Sequence, residues 1–148
     1  WERLETEDRD PDQVDRMVRR YAERIHNQRA ETIARTETIT SANYGQQEAW
    51  QQAINGGYLP ANAQRIWLAI DDGRTDDVCL RLDGMVAGID EPFTDPETGD
   101  EYMNPGYDVH PSCRCSQGIA SAEDITSAAD AVQQYQSGAN EEDEGGGA

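Results

Sequence analysis

No proline interrupts the chain between Pro11 and Pro60, and that run constrains the fold more than any other feature of the sequence. Proline breaks the interior of a helix, so a long proline-free stretch leaves room for helices of unusual length. Within it Val14, Met17, Tyr21 and Ile25 recur at steps of three and four, the period of a helix with one apolar side. Asp10 is placed to cap the first turn, Pro11 suits the first helical position, and Asp12 and Asp15 put negative charge at the positive end of the helix dipole. A helix is therefore predicted to start near residue 11. The apolar pattern falters at His26, Asn27 and Gln28 and resumes at Ala30, Ile33 and Ala34, then at Trp50 and Ile54. This predicts a second helix or a bent continuation, ending at Gly56-Gly57, where a left-handed cap is easily made. The small and polar stretch Thr40 to Gly45 inside it reads as a close helix contact, a kink, or simply low apolar content.

Beyond Pro60 the pattern shortens. Arg65 to Ile70 is a β-prone run that stops at Asp71-Asp72-Gly73, predicting a strand and a turn. Thr75 to Leu82 has a capping Thr and the apolar Cys79, Leu80 and Leu82, enough for one or two helical turns. Met85 to Ile89 reads as a second strand. Residues 90–108 are rich in Pro, Gly, Asp and Glu and are expected to form a long surface loop adding little to the core. A brief strand is predicted at Ser116 to Ala120, and a helix over Ala122 to Tyr135 with Ile125, Ala128, Ala129 and Val132 on one side. The last stretch, acidic and glycine-rich, has nothing to bury and is expected to be mobile. The fold class that follows is α+β. Its expected parts are an N-terminal extension (1–10), a helical arm (11–57), a small α/β module with a Cys/His knuckle (58–120), a C-terminal helix (121–136) and an acidic tail (137–148).

The 148-residue chain carries 30 acidic residues against 12 basic ones, a net charge of −18. All the basic residues are Arg; there is no Lys. A GC-rich genome would favour Arg codons, whereas a salt-saturated cytoplasm would explain both the missing Lys and the excess acid, since carboxylates stay hydrated while salt screens their repulsion. The second reading accounts for more. Such a charge argues against direct DNA binding, which depends on cations meeting phosphates. The basic stripe Arg16, Arg19, Arg20, Arg24 and Arg29 is interrupted by acids and reads as a solvated helix. No window is apolar enough to span a membrane. The sequence opens on Trp1 rather than Met, so a processed product or a segment of a longer polypeptide is expected.

The residues with site chemistry are Cys79 and the group His110-Pro111-Ser112-Cys113-Arg114-Cys115. Thiolate and imidazole are ligands that zinc prefers, and four of them close a structural tetrahedron. Cys79, His110, Cys113 and Cys115 supply that number, and a cross-link of this kind would suit a module with little core of its own. Two other readings stay open: a disulfide from Cys79 to Cys113 or Cys115, and ordinary buried thiols.

The run Arg29 to Thr38, the following Asn43 and Gly45, Trp67 in a strand, Asp72-Gly73-Arg74-Thr75, Cys79, Leu82-Asp83-Gly84 and the closing His110 to Cys115 group together resemble the Mu F-like domain of tailed viruses, over roughly residues 25 to 120. That family usually has a C-x-x-C pair where this chain has Asp76-x-x-Cys79, which leaves three readings open: Asp76 as an oxygen ligand, Cys115 completing the set, or a vestigial site held by packing. The resemblance implies a minor virion protein attached to the portal protein, with the major capsid protein as a further partner, acting in head assembly and genome packaging or delivery. It places the protein inside the head or neck of the virion, and in the host cytoplasm during assembly. With the acidic, lysine-free composition, the expected source is a haloarchaeal tailed virus or provirus, with an actinobacterial phage as the alternative.

On residue roles, Arg35 and Glu37 either tether the helix to separate neighbours or are simply solvated, while Trp67 is expected to pack helix onto strand and Arg114 to pair with Asp83. None of the familiar hydrolase, deaminase or phosphate-loop motifs occurs, so an enzyme is not expected; a metal-dependent one would have to use Asp76, Asp77 or Asp83. A zinc-knuckle nucleic-acid binder is the other alternative, opposed by the charge.

Overall fold

The computed structural model describes residues 10–142, with side chains through residue 137. Most of the expected N-terminal extension and the end of the acidic tail lie outside the described residues. The proline-free run forms one unbroken helix, α1 (Pro11–Asn55), of 45 residues. At 1.5 Å per residue it is about 68 Å long. His26, Asn27 and Gln28 do not end it, because polar residues there forgo apolar contacts without breaking the backbone ladder. Asp10 accepts a hydrogen bond from Asp12 N at 3.1 Å. At the other end Gly57 takes φ +76°, while Tyr58 N donates to Ala53 O (2.8 Å) and Gly57 N to Ile54 O (3.0 Å). These two bonds around a left-handed glycine cap the helix as its sequence suggests.

A three-stranded antiparallel sheet follows, ordered β2-β1-β5. Its strands are β1 (Gln64–Leu68), β2 (Val86–Gly88) and β5 (Ser116–Ile119). In the register, Arg65 lies opposite Ala87 and Trp67 opposite Gln117. The short helix α2 (Asp77–Leu82) joins β1 to β2. Its cap is Asp76, which accepts from Val78 N at 3.2 Å, rather than the expected Thr75, whose hydroxyl donates to Ile70 O instead.

The expected surface loop is a correction. Residues 93–102 fold into a hairpin of β3 (Phe93–Thr94) and β4 (Glu101–Tyr102), and Phe93, Asp95, Asn104 and Pro105 are buried. Asp95 organises the turn: it accepts from Glu97 N (2.9 Å) and Thr98 N (3.3 Å) and forms an ion pair with Arg81 at 2.8 Å. With its polar turn satisfied, the hairpin can press Phe93 into the core.

The core is Trp67, Cys79, Leu82, Met85, Ala87, Phe93, Cys113, Cys115 and Ala128. Trp67 and Phe93 meet edge to face with ring centroids 5.1 Å apart, a favoured aromatic arrangement. Helix α3 (Ala122–Glu142) covers β2 through Ala128 and Val132. It opens with a reciprocal cap in which Ser121 N donates to Asp124 Oδ2 (2.7 Å) and Asp124 N to Ser121 Oγ (3.2 Å). It continues to Glu142, past Tyr135, where the sequence predicts its end.

Arg65 joins these parts from inside. It is fully buried, with its guanidinium 4.6 Å from the Phe93 ring centroid. It donates to Gly88 O (3.1 Å), Glu91 O (2.5 Å), Asn104 Oδ1 (2.8 Å) and Gln117 Oε1 (2.8 Å). Every acceptor is neutral. Burial lowers its pKa to about 10, so it stays protonated at neutral pH.

Candidate metal centre

Two segments distant in sequence deliver the cysteines. Cys79 sits in α2, Cys113 follows the His110 turn, and Cys115 directly precedes β5. All three are buried free thiols, and their sulfurs lie within 4.8 Å of one another. Cys79 Sγ is 3.8 Å from Cys113 Sγ and 3.1 Å from His110 Nε2.

The turn that aims these groups has a physical cause. Cys113 N donates to His110 O at 3.4 Å, with Pro111 second in the turn and Ser112 third at φ +60°. A positive φ in third position after proline is the signature of a type II turn, which usually takes glycine there. Serine is held in this costly conformation by α1: Ser112 N donates to Thr36 Oγ1 at 2.9 Å. A few residues away, Tyr107 N donates to Thr40 Oγ1 (2.9 Å) and Asn43 Nδ2 to Pro105 O (3.2 Å) and Cys115 O (3.3 Å). The short polar stretch of α1 is therefore a close contact, not a kink. Thr36, Thr40 and Asn43 do the tethering weighed for Arg35 and Glu37, both of which are exposed and have no hydrogen-bond partner among the described residues.

Electrostatics concentrate a proton deficit on one sulfur. Hydrogen bonds from Cys115 and Cys79, helped by backbone N–H groups, hold the Cys113 thiol far below its ordinary pKa. The same bonds push Cys79 up and raise Cys115 to about 11. His110 offers a matching group: a hydrogen bond of 2.9 Å joins Nδ1 to Pro111 O. A carbonyl only accepts, so Nδ1 carries the hydrogen and Nε2 presents its lone pair to Cys79, an arrangement that also orients metal-binding imidazoles.

The three sulfurs suit three corners of a tetrahedral ion, while the His110 ring touches Cys79 but stands outside the sulfur group. Zinc–sulfur bonds of about 2.3 Å imply sulfur–sulfur edges of about 3.8 Å, the separation of Cys79 and Cys113. A small cavity of about 20 Å³ adjoins the group, bordered by Thr75, Asp76, Cys79, His110 and Cys115. The indole N–H of Trp67 is buried with no hydrogen-bond acceptor among the described residues. Asp76 borders the cavity but stands outside the sulfur group, its carboxylate occupied in capping α2. Arg114 does not reach Asp83, which accepts from Ala69 N at 2.8 Å. Instead Arg114 grips Asp72 with two bonds of 2.6 Å, holding that carboxyl well below the usual range. This fastens the HPSCRC segment to the turn after β1.

The family model for Phage Mu protein F like protein matches residues 11–118. The chain belongs to the Mu F-like family. The matched stretch begins at the first residue of α1 and closes inside β5, so the long helix and the cysteine-bearing module form one Mu F-like unit, and α3 is an addition at its end. The similarity read from motifs, starting near residue 25, thus extends back through the whole helix. Comparison with curated proteins and with solved structures gave no match.

Proposed function

We propose that this Mu F-like protein is a minor, non-enzymatic head or neck protein of a tailed virus that acts at the portal in head assembly and in genome packaging or delivery. Its partners on this reading are the portal protein and the major capsid protein, and its source is a haloarchaeal virus. One observation carries the proposal: the contacts of Thr36, Thr40 and Asn43 fix the module to the second half of α1, while almost all of residues 11–35 is exposed. A helix of that length without packing gains little from the rest of its own chain, which suits an arm that grips something larger.

In the module, Cys79, His110, Cys113 and Cys115 would hold a structural zinc, which supplies a cross-link between α2 and the His110 turn. All four positions of the tetrahedron would then be filled by protein, with none open for substrate. Of the three acids weighed for catalysis, Asp76 and Asp83 already serve the backbone. Among the described residues no helix is long and apolar enough to cross a membrane.

Co-expression of the full chain with its cognate portal protein tests the reading: a complex that survives size-exclusion chromatography is expected, and separate elution at all salt concentrations would sink it. Metal analysis of the same preparation should give one zinc per chain.

A further inference from the structure

The exposed half of α1 is not a uniformly polar surface. Val14 (40%), Met17 (50%), Val18 (59%), Tyr21 (58%) and Ile25 (44%) are all substantially exposed. Val14, Val18, Tyr21 and Ile25 follow the alternating four-three spacing that lines a seam for another helix. At about 100° per residue they fall within the same arc of about 80° as Thr36, Ile39, Asn43 and Gln47, residues on the side of α1 that meets the module. The face that packs the module therefore continues past its edge, bare. Where the two meet, Ala34, Arg35, Thr38 and Ile39 border a mainly apolar groove of about 450 Å³ with Ser112 and Arg114.

The charge of this segment is opposite to that of the whole. Residues 16–29 hold Arg16, Arg19, Arg20, Arg24 and Arg29 against the single acid Glu23, five minus one or +4, in a chain of net charge −18. Among the described residues only Arg19 of these five has an ion-pair partner, Asp15 at 2.9 Å. Arg24 lies over the Tyr21 ring at 5.3 Å, and with Arg29 it flanks the seam on its two sides.

We propose that this half of α1 is a docking surface for an acidic amphipathic helix of another protein, laid along Val14 to Ile39 with its apolar side on the seam and its carboxylates against Arg24, Arg29 and Arg35. The proposal deepens the head-protein reading, on which the identity of the partner rests; the chemistry of the surface does not depend on it. A second copy of the arm fits less well, since a parallel pair would set Arg24 of one against Arg29 of the other. A nucleic acid fits less well too, because phosphates would leave the aliphatic seam uncovered and meet the acidic module.

Fluorescence anisotropy with the full chain and two synthetic four-heptad peptides tests this. Both carry Leu on the seam; one has Glu at the flanking positions and the other Lys. At about 0.15 M salt, where charges are felt over about 8 Å, the acidic peptide should bind at least about tenfold tighter, a preference that charge complementarity readily supplies. Tyr21→Asp with Ile25→Asp should abolish binding, and Arg24→Glu with Arg29→Glu should reverse the preference; both pairs are exposed, so the module still folds. Binding of neither peptide, equal binding of both, self-association of the chain in sedimentation, or displacement of the acidic peptide by a short DNA duplex would each overturn the proposal. Peptide binding without portal binding would sink the head-protein reading and leave this one standing.

Discussion

Arg81→Met should show how much the hairpin depends on the ion pairs that Arg81 makes with buried Asp95 and, at 3.1 Å, with exposed Glu97. The Asp95 side chain is fully buried while that of Arg81 is 23% exposed, and the guanidinium donates through Nε and Nη2 at 2.8–3.1 Å. Burial by itself pushes the Asp95 pKa up, but Arg81 and the N–H groups of Glu97 and Thr98 outweigh it and hold the carboxyl below its ordinary value. Removing one partner of a buried pair costs about 3–5 kcal/mol. Here two backbone N–H bonds survive and Arg81 is partly solvated, so a loss of about 2–3 kcal/mol is expected at pH 7, or roughly 5–10 °C in Tm. Because the folded pKa is depressed, the carboxylate adds stability above its unfolded pKa of about 3.9, and that contribution is lost as pH falls through the folded value. The deficit of Arg81→Met should therefore be largest near neutrality and shrink below about pH 4. Adding Asp95→Asn removes the stranded charge and should recover at least about 1 kcal/mol. Urea unfolding of the three variants at pH 7 and pH 3 measures all of this. A variant within about 0.5 kcal/mol of the parent at pH 7, or a deficit unchanged by acid, would refute the reasoning.

Four further outcomes are expected. Gly106→Ala would place a Cβ 2.5 Å from Thr40 Oγ1 at φ +125°, so thermal unfolding should show a loss above about 2 kcal/mol. Asn43→Ala deprives the buried Pro105 and Cys115 carbonyls of their donor and should cost about 2–3 kcal/mol in denaturant unfolding. Arg114→Gln removes the largest cause of the Asp72 shift, so the carboxyl carbon of Asp72, followed by NMR across acid pH, should titrate closer to an ordinary aspartate. On the zinc reading, chelation at neutral pH should lower the Tm of the parent protein and leave that of Cys113→Ser unchanged.

Much of this fold can be read from the residues because its helices and strands announce themselves locally. The caps at Asp10 and Gly57, the strand around Trp67, and the convergence of Cys79 on the His110 to Cys115 group all follow from short-range pattern or ligand chemistry. What escaped notice is non-local. Phe93 sits in a stretch whose Pro, Gly and acids suggest a loop, and only Asp95, satisfied by Arg81 from α2, turns that stretch into a hairpin. Thr36, Thr40 and Asn43 look like weak helix formers, although their three- and four-residue spacing marks one side of α1 and was the available clue. Arg65 begins an apolar run, where a charged residue would ordinarily be placed at the surface; its neutral acceptors come from four places distant in sequence. Arg114 met Asp72 rather than Asp83 because Asp83 is already engaged by the backbone after β1.

Arg65 also bears on where such a protein can work. Ion pairs at a surface weaken as salt rises, because mobile ions compensate each partner separately. A guanidinium enclosed by carbonyl, amide and ring, out of reach of solvent, gives its hydrogen bonds to neutral groups, which salt does not screen. The joint between α1, the sheet and the hairpin should accordingly hold in dilute buffer and in concentrated brine alike, even as Arg19–Asp15 and other exposed pairs lose their grip.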